Sequence, residues 1–142
     1  MILSNVKILR LGIANRNGRI YTEENVREVV RDFNDKIRRL GVVYGEQGHP
    51  ESNDTSLSKV SHVIRSLRVQ RDFVLATIEV LATKCGKEIR KNPDDYVFRT
   101  RGIGQVSDKG IVDLQVLQTV DAILLEDDSY AGLMDENYGD DE

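Results

Sequence analysis

Apolar residues recur at helical spacing in one long segment of the chain. They follow steps of three or four, with one adjacent pair, at Val26, Val29, Val30, Phe33, Ile37 and Leu40. This is the period of an amphipathic helix. Thr22 is a favourable N-cap, Glu23 and Glu24 suit the first turn, and Gly41 is a common stop. The pattern predicts one long helix that ends at Leu40.

Other segments show the alternation or the β-branched composition of strands. They predict strands at residues 6–13, 42–44, 59–69, 73–81, 96–106 and 111–125. Two hairpins follow from the turns at 70–72 and 108–110. Thr83 caps a short helix that Asn92-Pro93 ends. The order predicts an α+β fold: an antiparallel sheet that curls into a β-barrel, flanked by one long and one short helix.

Composition limits the class of protein. The chain has 142 residues, 39% of them hydrophobic and 31% charged, which is typical of one soluble globular domain. It contains no apolar run near the ~20 residues that span a bilayer, so we expect no membrane partner. Cys85 is the only cysteine, which excludes an intrachain disulfide. One cysteine and two histidines are too few ligands for a zinc-finger site, so this kind of site is excluded. We expect no metal and no cofactor.

Charge is uneven along the chain. Residues 135–142 hold five acids and no base, whereas the whole chain carries −4. We therefore divide the chain into a domain at 1–133 and an acidic tail at 134–142. Such a tail is typical of a solvated end, and the alternative is contact with a basic partner. The isoelectric point of about 5.3 and 6% aromatic content argue against a nucleic-acid surface.

Two segments carry candidate chemistry, 45–51 (Gly-Glu-Gln-Gly-His-Pro-Glu) and 97–104 (Val-Phe-Arg-Thr-Arg-Gly-Ile-Gly). His49 before a proline is a candidate general base, and the alternative is a loop histidine without a role. His62 alternates with apolar strand residues and is interpreted as a packed, hydrogen-bonded histidine. Asp121 is a candidate acid that orients the imidazole, or else a strand-end cap or a surface acid. Glu51, two residues from His49, is its rival.

These segments, in this order, resemble those of the prohead core protease family of tailed phages. This family comprises the T4-type capsid maturation proteases, which are assemblin-like. In that family a Gly-His-Pro supplies the catalytic histidine and a Ser-x-Arg-Gly strand supplies the nucleophile. The resemblance covers residues 15–132, including Asn15 to Tyr21 and Asp127 to Gly132. It implies an assemblin-like barrel and a role in head assembly. It also implies capsid or scaffold partners and a place in the prohead or virion head, assembled in the host cytoplasm.

The nucleophile position departs from the family. Arg99 stands where the resemblance places the serine, and an arginine cannot carry acyl transfer. A shift by one residue would offer Thr100, for which the alternative is a β-branched strand residue. Arg101 and Gly102 retain the stretch that the family uses near the oxyanion. In this chain that stretch alternatively serves the close approach of strands.

Other hydroxyls and glycines are weaker candidates. Ser107 and Ser129 fall in a predicted turn and a loop, so they are poor substitutes for the missing serine. Gly102 and Gly104 do not form a dinucleotide fingerprint, because the third glycine and the following helix are missing. We expect no small-molecule ligand.

These observations lead to two expectations. The first is a catalytically inactive head protein that binds capsid or scaffold proteins as a minor capsid or decoration component, with homo-oligomers possible. The second is an active maturation protease with Thr100 as nucleophile and His49 as base. In it, Asp121 or Glu51 orients the imidazole.

Overall fold

A computed structural model describes residues 1–48 and 57–134. The strands are β1 (Ile2–Arg10), β2 (Ile20–Tyr21), β3 (Tyr44–Glu46), β4 (Val60–Gln70), β5 (Phe73–Val80), β6 (Tyr96–Val106) and β7 (Ile111–Leu124). The helices are α1 (Glu23–Leu40) and α2 (Lys84–Lys91). The predicted α+β class with one long and one short helix is confirmed.

Helix α1 forms where the apolar period predicts it. The Thr22 side chain accepts a hydrogen bond from the Asn25 N–H, and the Gly41 N–H donates to the Ile37 carbonyl. Gly41 has a φ of 82°, a conformation that glycine adopts without steric cost. The buried face is apolar and consists of Val26, Val29, Val30 and Phe33. Capping and burial therefore both follow from the local sequence.

The strands form two sheets. One has the order β1-β5-β4-β3, with all its neighbours antiparallel, and the other has the order β2-β7-β6. In the second sheet β6 and β7 are antiparallel, and β2 adds to β7 in parallel. In the described part of the chain these sheets do not join into one continuous ladder. The predicted curl into a barrel is therefore partial. Strand β3 is only three residues long, and in the described ranges one isolated bridge, from Gln47 just after β3 to Ala122, pairs this segment with β7.

Two side-chain hydrogen bonds and one backbone hydrogen bond hold β3 and the residues after it against β7. The Thr119 hydroxyl donates to the Tyr44 carbonyl (2.6 Å), and Asp121 Oδ1 accepts from the Glu46 N–H (3.1 Å). The Gly48 N–H donates to the Ala122 carbonyl (2.6 Å). These bonds bring the end of β3 against the C-terminal half of β7.

Two asparagines of α1 each cover one residue of a strand edge. The Asn25 amide donates to the Leu114 carbonyl (3.0 Å) and accepts from the Leu114 N–H (2.9 Å). Asn34 makes the same pair of bonds with Leu67 (2.9 and 3.0 Å). Each asparagine thus imitates a neighbouring strand. The helix satisfies backbone groups of β7 and β4 that would otherwise be unpaired at a sheet edge.

Several boundaries differ from the sequence prediction. Strand β1 begins at Ile2 rather than at residue 6, and irregular register and a positive φ of 56° at Asn5 interrupt its alternation. Strand β3 lies two residues later than predicted. The sequence pattern does not predict the two-residue β2, since this strand exists only through pairing with Ile111 and Val112. Strand β6 has the predicted bounds.

The described residues include no helix that is both long and apolar enough to cross a membrane.

Candidate functional site

The β6–β7 ladder places the predicted nucleophile position opposite the predicted orienting acid. Arg99 pairs in register with Asp121, and Thr100 pairs with Val120. Successive strand side chains point to opposite faces. Arg99 and Arg101 therefore share one face of β6, and Thr100 belongs to the other face with the core residue Phe98.

Arg99 is buried and fully engaged. Its Nε lies 2.8 Å from Asp128 Oδ1 and its Nη2 lies 2.9 Å from Asp128 Oδ2, a two-pronged ion pair. Its Nη1 also donates to the carbonyls of Lys7 (2.8 Å) and Phe98 (2.7 Å). Both charged side chains are under one tenth exposed. Arg99, at the predicted nucleophile position, therefore ties β6 to β1 and to the turn after β7.

Asp121 pairs with the second arginine of the strand. Arg101 Nε lies 2.9 Å from Asp121 Oδ2, and Arg101 Nη2 donates to Asp121 Oδ1 (3.2 Å). The same Oδ1 accepts the Glu46 N–H. Asp121 is fully buried, and Arg101 is 8% exposed. The Asp121 carboxylate therefore belongs to a buried charge network that anchors β3.

Thr100 and Asp121 are not brought together by the ladder. Thr100 is half-buried, and its cross-strand neighbour Val120 is fully buried on the core side. Asp121 belongs to the arginine face. A triad that uses both residues would need the substrate to reach both faces of one ribbon.

Gly102 and Gly104 permit close strand approach. A Cβ on Gly102 would lie 2.7 Å from Leu114 Cδ1 and 2.8 Å from the Val116 carbonyl oxygen. A Cβ on Gly104 would overlap the Asp113 backbone. The ladder shifts register at both glycines. The alternative interpretation of this stretch, in which glycine lets strands pack tightly, matches the geometry.

His62 is the packed, hydrogen-bonded histidine that the sequence predicts. It is fully buried, with Nε2 2.7 Å from the Val120 carbonyl and Nδ1 2.7 Å from the Ser61 hydroxyl. Because a carbonyl only accepts, Nε2 carries the proton and Nδ1 accepts from Ser61. Burial lowers the pKa of His62 to about 4, against the smaller raising effects of the Val120 hydrogen bond and Asp121. The ring is neutral near pH 7 and links β4 to β7.

His49 and Glu51 lie outside the described residues, as does the part of the predicted tail after Met134. The chain is described up to Gly48, whose hydrogen bond to Ala122 lies one residue from Asp121. The assignments of His49 as base and of Glu51 as rival acid therefore stay predictions.

A cavity of about 550 Å³ adjoins the C-terminal end of β7, near Ala122 to Leu124. Gln47 Nε2 donates to the Tyr96 hydroxyl (2.7 Å), which in turn donates to Glu88 Oε1 (3.2 Å). The pKa of Tyr96 is raised, first by burial and then by carboxylates that include Glu88. The backbone of Ala122 to Leu124 forms part of the wall.

Sequence reasoning missed the role of Asp128. The sequence places this residue only in the loop that closes the resemblance, not as a partner of Arg99. A signal is present, because an arginine in a strand that also carries Phe98 is buried only when an acid pairs with it. The described residues include no group of three or more His, Cys, Asp or Glu placed to hold a metal ion.

Comparison with known proteins identifies a fold but no sequence family. No protein-family model matches the chain. A search of curated proteins also finds no match. Among solved structures, the bacteriophage T4 capsid assembly protease, gp21, is similar, with a TM-score of 0.72 and 18% sequence identity. The alignment covers 87% of this chain and 90% of the T4 chain. The chain therefore has a fold like that of a phage capsid assembly protease.

Proposed function

We propose that the chain is a phage head protein that keeps the prohead-protease fold without its proteolytic activity. It acts by binding capsid or scaffold proteins, as a minor capsid, decoration or assembly component of the prohead or virion head. The likeness to the T4 capsid assembly protease supports the fold and the setting. Because one fold serves many functions, the fold does not decide whether the chain is active, and the proposed loss of activity rests on the residue at position 99.

One observation carries the proposal. The position that the resemblance assigns to the serine holds Arg99, and the guanidinium forms a buried two-pronged ion pair with Asp128. A guanidinium stays protonated in proteins, so it has no lone pair to attack a carbonyl. The arginine also has a structural role, which would explain its presence where a nucleophile is not needed.

The alternative is an active protease that uses Thr100. It is favoured by the half-exposed position of Thr100 on β6 and by the survival of Arg101 and Gly102 next to it. Thr100 and Asp121 lie on opposite faces of the β6–β7 ribbon, which argues against a triad that uses both residues. Glu51 would then have to orient the imidazole.

Mass spectrometry of mature virions tests the first proposal. We expect the intact chain in a fixed number of copies relative to the major capsid protein. Absence from virions, or recovery only as fragments, would contradict a structural role.

Incubation of the purified chain with the scaffold and capsid proteins separates the two candidates. We expect no cleavage product. If cleavage occurs and both His49→Ala and Thr100→Val abolish it, the chain is a protease. Ser129→Ala is the matched control, since that hydroxyl lies outside the β6 ladder.

A further inference from the structure

A cationic groove of about 370 Å³ lies between α1 and β4 and shares no residue with the β6–β7 site. Four arginines line it, and no acidic side chain is among its described lining: Arg27, Arg31, Arg38 and Arg68. Val30 and Leu67 form an apolar floor and are at most 5% exposed. We call this surface the arginine groove.

Most of the positive charge in the arginine groove is available to a ligand. Arg27 and Arg38 pair with Glu23 and Asp35, but all four side chains are more than half exposed. Exposed ion pairs of this kind contribute little and exchange readily with a competing carboxylate.

Two of the four arginines, Arg31 and Arg68, have no acidic ion-pair partner among the described side chains. Arg68 donates to the neutral amides of Asn5 (2.6 Å) and Gln70 (3.1 Å). Arg31 forms no ion pair within the described ranges. Two of the four guanidinium groups of the groove therefore have no ion-pair partner among the described residues.

The floor limits how a ligand can bind. Asn34 occupies both the N–H and the carbonyl of Leu67, so the β4 edge offers no pairing to an added strand at that point. Recognition must come from the guanidinium groups and from apolar contact with Val30 and Leu67. A segment that carries carboxylates next to an aliphatic side chain meets both requirements.

We propose that the arginine groove binds an acidic segment of a partner protein. Planar guanidinium groups bind carboxylates through two parallel hydrogen bonds, which explains the use of arginine rather than lysine. Nucleic acid is the poorer fit, because no aromatic side chain is among the described residues that line the groove and the chain carries −4 overall. The inference rests on the proposed function, in which the chain acts by binding, and it names the chemistry of the partner.

Fluorescence anisotropy with a labelled peptide of aspartate, glutamate and leucine tests the inference on the full chain. The matched peptide carries asparagine and glutamine in place of the acids. We expect the acidic peptide alone to bind, and binding to weaken as salt rises. The double variant Arg31→Gln with Arg68→Gln should raise the Kd at least about tenfold. Arg39→Gln is the control, because Arg39 is an exposed arginine of α1 that lines a different cavity.

Three results would overturn the inference. They are equal binding of the neutral peptide, an unchanged Kd in the double variant, and tighter binding of a single-stranded oligonucleotide than of the acidic peptide. Failure here is separable from failure of the proposed function. If the intact chain is present in virions but the purified chain does not bind the acidic peptide, only the groove inference is rejected. If the chain binds the peptide but is absent from virions, only the head role is rejected.

Discussion

The His62 imidazole occupies the space that a side chain at position 45 would need. Gly45 pairs with His62 across the β3–β4 ladder, and a Cβ at Gly45 would overlap His62 Nε2 and the Val120 carbonyl oxygen. The absent side chain thus lets a histidine of β4 reach across β3 to β7. Three strands from two sheets meet at this contact, immediately before the segment that contains His49.

We predict that Gly45→Ala destabilises the protein strongly. The added methyl must displace either the imidazole or the β7 backbone, which breaks a buried hydrogen bond and opens the junction between the sheets. We expect a loss of more than about 3 kcal/mol in the free energy of unfolding, measured by denaturant titration.

Gly12→Ala is the comparison for this variant. Gly12 has a φ of 77°, and a Cβ added there would meet no atom within 4 Å, so only backbone strain applies, about 1–2 kcal/mol. Equal losses in the two variants would show that steric exclusion by His62 is not the cause.

The protonation of His62 makes stability depend on pH. Its folded-state pKa of about 4 lies below the ordinary value of 6.5, so the neutral ring is favoured by folding. As pH falls below about 6.5, the unfolded chain takes up a proton that the folded chain does not, and stability decreases until pH reaches about 4. The loss should amount to about 3 kcal/mol.

His62→Gln separates this contribution from that of other groups. Glutamine keeps an N–H donor for Val120 but does not titrate, so the decrease between pH 6.5 and 4 should be smaller by the His62 share. Thermal or urea denaturation at several pH values measures the difference. Parallel pH profiles in the two proteins would contradict a lowered pKa.

Arg99→Ser places a serine at the predicted nucleophile position and tests whether the fold alone confers activity. We expect no proteolysis and a loss of about 3–5 kcal/mol, because Asp128 is left as a buried charge without its partner. Denaturant unfolding and incubation with a capsid or scaffold substrate give the two measurements.

The double variant Arg99→Met with Asp128→Leu is the control for charge. It removes both members of the buried pair, so it should recover much of the stability that Arg99→Ser loses. Cleavage by Arg99→Ser that His49→Ala abolishes would show instead that the catalytic apparatus is intact apart from one residue.

The asparagine contacts of α1 predict local amide exchange. Asn25→Ala leaves the N–H and carbonyl of Leu114 without their side-chain partner, which should cost about 1–3 kcal/mol. Hydrogen exchange of the Leu114 amide should accelerate while that of Leu67 stays slow. Asn34→Ala should give the reverse pattern. Equal acceleration at both amides in either variant would indicate that the helix detaches as a whole.

Local sequence predicts much of this fold because its signals act over short distances. The α1 period between Thr22 and Gly41, the cap of α2 at Thr83 and the hairpin turns each arise from neighbouring residues. Strand β6 has its predicted bounds for the same reason. The boundaries of β1 and β3 are displaced from the prediction, since a short or edge strand takes its limits from its partners.

Charge pairing at the site could not be deduced from the sequence. Arg99 faces Asp121 across the ladder but pairs with Asp128, 29 positions away, and leaves Asp121 to Arg101. Several acids and bases offer many possible pairs, and only the packing of β1, β6 and the turn after β7 selects among them. Burial then makes the selected pairs strong, because charges removed from water must have partners.

Residue order alone is enough to predict the helices, the hairpins and the buried character of His62, and it places an arginine at position 99. Packing of the whole chain is needed for β3 to bridge two sheets, for Asn25 and Asn34 to close strand edges, and for Arg99 to be locked to Asp128. The physical reason is range. Periodicity and capping depend on residues a few positions apart, whereas edge closure and ion pairing depend on segments that meet only when the chain has folded.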